Sequence, residues 1–169
     1  LPVDTFRFLM EELSRRTHLV KLEDIGAVDS YPDLPLVVIS FDDGYVDFLE
    51  NALPVLCDLG IPAHHNICPG LVDRGTLPWS QKLQLYMLAN PTGTLVLPNG
   101  TEIGVDRYYS ELGFLRLYAE LLVYDNTACE NWIDSLVTGL PGGCGTGLRL
   151  MTWDQIRECA KSGVGIGAH

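Results

Sequence analysis

The chain has 169 residues, 47% of them hydrophobic, which suits one domain with enough apolar material for a core. Eleven Lys and Arg stand against 22 Asp and Glu, and the resulting formal charge of -11 repels a phosphate backbone and argues against nucleic acid as a partner. No apolar run approaches the roughly 20 residues of a membrane helix, so no integral membrane segment is expected and the chain reads as soluble.

The N-terminus lacks the basic, then apolar, then small-residue order of a secretion signal, and the compartment stays open. Cys57, Cys68, Cys129, Cys144 and Cys159 are an odd set without a CxxC pair, which indicates neither a zinc knuckle nor a disulfide framework. The chain starts at Leu1 and stops at His169 directly after an apolar run. Both ends read as cut.

Phe6, Leu9, Met10 and Leu13 have helical spacing, with Asp4 as N-cap and Val3 and Phe8 as a hydrophobic staple, and this helix should end near Thr17. HLVKL then reads as a short strand, followed by the proline-marked connection EDIGAVDSYPD. Leu36 to Phe41 is rich in β-branched residues and apolar on both faces, as in a strand buried on both sides of a parallel sheet. After Gly44, the spacing of Phe48, Ala52, Leu56 and Leu59 predicts a helix closed by Gly60 and kinked or restarted at Pro54. IPAHHNIC is a second strand. Strand, helix and strand form a βαβ unit with parallel strands, so the class is α/β.

Residues 70–150 interrupt this rhythm. TLVLPNGTEIGV predicts a hairpin with Asn99 and Gly100 in the turn, and the sequon Asn99-Gly100-Thr101 is read as turn chemistry. Residues 106–124, with Tyr109, Leu112, Leu115, Leu117, Leu121 and Leu122, predict a helix. Thr127 and Glu130 form a capping box for another helix through Trp132, Ile133 and Leu136, and PGGCGTG is a linker. The block from about 75 to 150 thus reads as a mostly helical insertion. Thr152 and Gln155 open a further helix with Trp153, Ile156 and Ala160 as its buried stripe and Gly163 as its cap. VGIGAH is a last strand ending in histidine.

The chemistry concentrates at strand ends. Asp42 and Asp43, in SFDDGY, can be turn residues with one capping the next helix. Their position favours more, because ligands of parallel α/β sheets and barrels meet the carboxyl ends of the strands. Two adjacent carboxylates repel, and a metal would resolve the repulsion with one as ligand and the other as general base. His169, at the end of the last strand, should reach the same rim as Asp43. Oxygen plus imidazole suits zinc or another divalent transition metal, and catalytic zinc usually takes three protein ligands and an open position.

SFDDGYVDFLENALPVLCDLGIPA resembles the first motif region of polysaccharide deacetylases, the carbohydrate esterase family built on the chitooligosaccharide deacetylase (NodB) homology domain. MTWDQIRECAKSGVGIGAH resembles the approach to that family's second motif, where a Trp-Asp helix leads into a strand ending in His-Ser/Thr-x-x-His. PVDTFRFLMEELSRRTHLVKLED is similar to the segment before the first motif in bacterial members. The resemblance implies the N-terminal part of a distorted (β/α) barrel and hydrolysis of an acetyl group, N-acetyl or O-acetyl, on a glycan. It also implies that Asp42 is the catalytic base, with Asp43 and His169 as ligands of a divalent metal. The ion would polarise the acetyl carbonyl while Asp42 takes the proton of the attacking water.

The third ligand and the family's acid histidine would then lie beyond His169. The chain is therefore expected to be an incomplete catalytic domain that in isolation neither holds metal tightly nor turns over substrate. Ser40 replaces the more usual Thr, and His64 and His65 replace the usual Thr-Phe. Being consecutive on a strand, the two histidines point to opposite faces, and a structural role is favoured for them. Trp79 is the candidate sugar platform, whereas Trp153 fits core packing. A noncatalytic sugar-binding or structural barrel, and a same-fold hydrolase acting on a small amide, are the competing readings.

Overall fold

The computed structural model describes residues 1–27, 33–90, 92–105, 111–138 and 148–169. In chain order the first elements are α1 (Val3–Arg16), β1 (His18–Leu19), a 3-10 turn (Leu22–Ala27), β2 (Leu36–Val37) and β3 (Ile39–Phe41). A π-helical turn (Phe48–Ala52) runs into α2 (Leu53–Leu59), followed by β4 (Ala63–Ile67), α3 (Pro69–Arg74) and α4 (Trp79–Ala89). Then come β5 (Gly93–Val96), β6 (Glu102–Val105), α5 (Glu111–Leu121), α6 (Asn126–Val137), α7 (Trp153–Lys161) and β7 (Gly165–Ala168). The mixed α/β class predicted from the sequence is observed, with small sheets of which none is closed among the described residues. No described helix is long and apolar enough to cross a membrane.

The chain divides into two compact units, Leu1–Thr76 with Leu148–His169, and Leu77–Gly147. In the first, β3, β4 and β7 form a parallel sheet in that order, while β1 pairs in parallel with β2. Phe41 pairs with His65 and Ile67 with Ala168, so the carboxyl ends of the three strands lie side by side. The strand expected over Leu36 to Phe41 breaks at Val38, because β2 pairs with β1 whereas β3 pairs with β4. It is also half-buried instead of buried on both faces, and Ser40 is exposed. Along β4, Ala63, His65 and Ile67 are buried while His64 and Asn66 are only half-buried, so the described packing covers one face of the sheet.

That face carries the core. Met10, Phe48, Leu56, Ile67, Met151 and Ile156 are among its buried members. The helix after Gly44 begins as a π turn, in which the Leu53 amide donates to the Phe48 carbonyl, and Pro54, which has no N–H to donate, stands where the π turn passes into α2. Gly60 ends α2 at φ +65°, a left-handed conformation common at helix C-termini that glycine adopts without strain. Thr152 and Gln155 form the predicted capping box of α7. The phase of its buried stripe differs from expectation: Ile156 and Cys159 are buried, Ala160 is exposed, and Trp153 is 36% exposed, its indole N–H donating to Asp73 over 2.8 Å. The cap of α1 also differs. The helix starts one residue before Asp4, with Pro2 as N-cap, so Asp4 contributes as a first-turn charge, and the exposed Val3 and Phe8 form no buried staple.

In the second unit, α4, α5 and α6 and the hairpin β5–β6 enclose a separate core that includes Leu83, Leu121, Cys129 and Ile133. The hairpin turns through Pro98, Asn99 and Gly100, closed by the Gly100 amide on the Leu97 carbonyl, with the Asn99 side chain accepting from the Thr101 amide. Helix α6 is capped by Asp125, whose carboxylate accepts from the Ala128 amide, and not by Thr127; the acceptor two residues earlier takes the cap. The linker expected at 141–147 with Cys144, the residues 106–110 including Tyr109, and the middle of the connection at 28–32 lie outside the described residues.

Candidate functional site

The loop that follows β3 is a three-residue turn. The Gly44 amide donates to the Asp42 carbonyl over 2.9 Å, and Asp43 at its centre has φ +71°, a left-handed conformation that a non-glycine residue adopts at a cost. The turn is pinned from two sides. The Gly44 amide also donates to Nε2 of His65 over 3.1 Å, and the Gly44 carbonyl accepts from the Met151 amide over 2.8 Å. The outcome is that adjacent carboxylates go to different partners.

Asp42 is exposed, and its Oδ1 accepts from the Asn66 side-chain amide over 2.9 Å. Asp43 turns the other way, with Oδ1 at 2.9 Å from Nδ1 of His169. His169 is held there because its backbone continues the ladder of β7, the amide donating to the Ile67 carbonyl over 2.7 Å. The structure therefore brings together Asp43 and His169, as predicted from their strand ends. With their side chains 38% and 52% exposed, the pair is worth little as a salt bridge and stands open to solutes.

A third donor joins them that the sequence reading passed over. The Cys68 thiol donates to Asp43 Oδ1 at 3.8 Å, and its Sγ lies 3.8 Å from His169 Nδ1. Burial, with the Asp43 charge beside it, pushes the thiol pKa up, so in the absence of a cation the sulfur keeps its proton. The signal was present: Cys68 directly follows β4, the same strand-end position that singled out Asp43 and His169.

Asp43, Cys68 and His169 form a group that could hold a divalent cation. Around a tetrahedral ion with bonds of about 2.0 Å to oxygen and nitrogen and about 2.3 Å to sulfur, donor pairs sit roughly 3.3–3.5 Å apart. The three observed separations fall on both sides of that range, so each donor needs to move only by a few tenths of an ångström. Oxygen, nitrogen and sulfur together suit zinc better than a hard cation such as magnesium.

The two histidines of β4 take different places. His65 is 1% exposed, its ring edge-on to Phe48 with centroids 4.4 Å apart. Burial lowers its pKa, an effect offset in part by the Asp42 backbone and by the charges of Asp42, Asp47 and Asp43, and the ring is neutral at pH 7. Its Nε2 accepts from the Gly44 amide, while its Nδ1 is buried with no hydrogen-bond partner among the described residues. His64 lies on the opposite face against the two strand glycines: a Cβ on Gly165 would come within 2.6 Å of its Nδ1, and one on Gly167 within 2.6 Å of its Nε2.

An open cleft of about 430 Å³ adjoins Asp42, lined in part by Phe6, Phe41, Tyr45, Phe48 and His65. Burial and the nearby Asp43 raise the Tyr45 phenol, which stays protonated at neutral pH.

Trp79 does not offer a sugar platform. It is 8% exposed in the core of the second unit, its ring stacked on Tyr118 with centroids 5.1 Å apart and its indole N–H donating to Asn126 over 3.3 Å. The face a sugar would need is taken by Tyr118.

Comparison with protein-family models, with curated proteins and with solved structures gives no match.

Proposed function

We propose that the chain is part of a metal-dependent hydrolase of the polysaccharide deacetylase type, acting on acetyl groups of a glycan, N-acetyl in the first place. The proposal includes a (β/α) barrel whose first strands are β3 and β4. One observation carries it: the two carboxylates of the FDDG motif separate, Asp43 going to His169 and Asp42 to Asn66. A helix cap needs no such division.

Asp43 and His169 would hold the ion, which supplies Lewis-acid chemistry by polarising the acetyl carbonyl and offsetting the charge that develops on its oxygen. Asp42 accepts the proton of the attacking water. Asn66 holds Asp42 Oδ1, which orients the carboxylate and keeps it apart from Asp43. The Asp43 turn, held by His65 and Met151, fixes the spacing between base and ligand.

The test is an assay of the full-length protein on N-acetylated and O-acetylated oligosaccharides, with and without chelator. Acetate release that chelator abolishes and zinc restores is expected, with Asp42→Asn slowing it by about 100- to 10,000-fold. Activity indifferent to chelator sinks the metal mechanism. Absence of activity on every acetylated glycan sinks the deacetylase reading.

A further inference from the structure

We infer that Cys68 is a thiolate ligand of the same site, so that Asp43, Cys68 and His169 form a three-donor centre selective for zinc-like ions over magnesium and calcium. The inference rests on the metal reading of Asp43 and His169 above, and concerns which atoms complete it.

Backbone register places the sulfur. Ile67 pairs with Ala168 across β4 and β7, and the His169 amide bonds the Ile67 carbonyl, so Cys68 and His169 leave the sheet as neighbours. Asp43 arrives from the adjacent strand β3, and all three donor atoms lie within 4.8 Å of one another. Three neighbouring parallel strands each contribute one donor just past their carboxyl ends.

Other cysteines of the chain show what a packing role looks like. Cys129 and Cys159 are 1% and 0% exposed and sit inside the two cores. Cys68 is only half-buried, and its sulfur faces a carboxylate and an imidazole instead of aliphatic side chains. A thiolate in the set has a chemical consequence: soft sulfur favours zinc and cobalt and offers little to hard cations. Three protein donors and one open position is also the usual constitution of a catalytic zinc site. With Cys68 included, that number is reached inside the described residues.

The test is titration of the metal-free full-length protein with cobalt(II), followed by absorption. A visible ligand-field band together with a near-ultraviolet thiolate-to-cobalt charge-transfer band is expected, and excess magnesium should displace neither. Cys68→Ser should lose the near-ultraviolet band while circular dichroism stays that of the parent. A Cys57→Ser, Cys144→Ser double variant should keep that band, which excludes the exposed Cys57 and the remaining thiol as its source. Cobalt bound with the visible band alone, or a charge-transfer band that survives Cys68→Ser, overturns the thiolate ligand and leaves the Asp43–His169 reading standing. Failure to bind cobalt at all overturns both.

Discussion

The amide of Gly44 donates to Nε2 of His65 over 3.1 Å, tying the turn that carries both candidate carboxylates to a buried ring on the neighbouring strand. The bond needs a neutral imidazole, since a protonated ring has no acceptor. Burial supplies that condition by lowering the His65 pKa from its ordinary value of 6.5. In the unfolded chain the same histidine takes up a proton near that value. Through this window the unfolded state therefore binds more protons, and stability falls as pH drops below about 6.5 towards the lowered folded value. Urea unfolding followed between about pH 5 and 7 should show this loss, and His65→Gln, which keeps an acceptor, should reduce it. An unchanged slope in the variant contradicts the assignment.

The strand glycines of β7 are predicted to be required by His64 and Asn66. A Cβ on Gly167 would stand 2.5 Å from Asn66 Oδ1 and 2.6 Å from His64 Nε2, and one on Gly165 2.6 Å from His64 Nδ1. Gly165→Ala should cost about 1–3 kcal/mol by overpacking. In a His64→Ala background the same change should cost less, with a coupling of about 0.5–3 kcal/mol in a double-mutant cycle of denaturant midpoints. Additive effects would show that the imidazole is not the obstacle.

Asp43 is a ligand candidate placed on a left-handed backbone, and the two properties can be separated. Asp43→Gly and Asp43→Ala both remove the carboxylate, but only alanine must hold a Cβ at φ +71°. The alanine variant should be less stable than the glycine variant by roughly 1 kcal/mol. Equal melting temperatures would show that the turn relaxes once the carboxylate is gone.

Trp79 is predicted to be a core residue. Trp79→Ala should destabilise the second unit by about 3–5 kcal/mol, whereas Trp79→Phe keeps an aromatic ring at the stack on Tyr118 and should cost less, through the lost bond to Asn126 and the smaller ring. Near-ultraviolet circular dichroism through a denaturant series reads this. A stable Trp79→Ala protein with weakened glycan binding would return the residue to the role of sugar platform.

Much of the first unit was legible because its signals are local and redundant. Gly60, Pro54 and the Thr152–Gln155 box act within one helical turn, and their residue types admit few alternatives. Where two candidates lay within two residues of each other, local reading chose wrongly. Pro2 begins α1 before Asp4, and Asp125 caps α6 before Thr127. Helix α4 went unread for another reason: its buried Leu83, Leu85 and Met87 alternate as strand residues do, because the helix is buried around more than one side.

For the site, residue type and order already determined that carboxylates and a histidine stand at the ends of strands in a parallel α/β arrangement. A parallel ladder brings such ends to one rim whatever the length of chain between them. Cys68 obeys the same rule, standing directly after β4, although its spacing to the other cysteines carries no metal signal. What only the tertiary structure decided is direction. Consecutive residues such as Asp42 and Asp43 send their side chains apart according to the backbone angles between them. Those angles are set by hydrogen bonds from Gly44 to His65 and from Met151 to Gly44, partners far away in sequence.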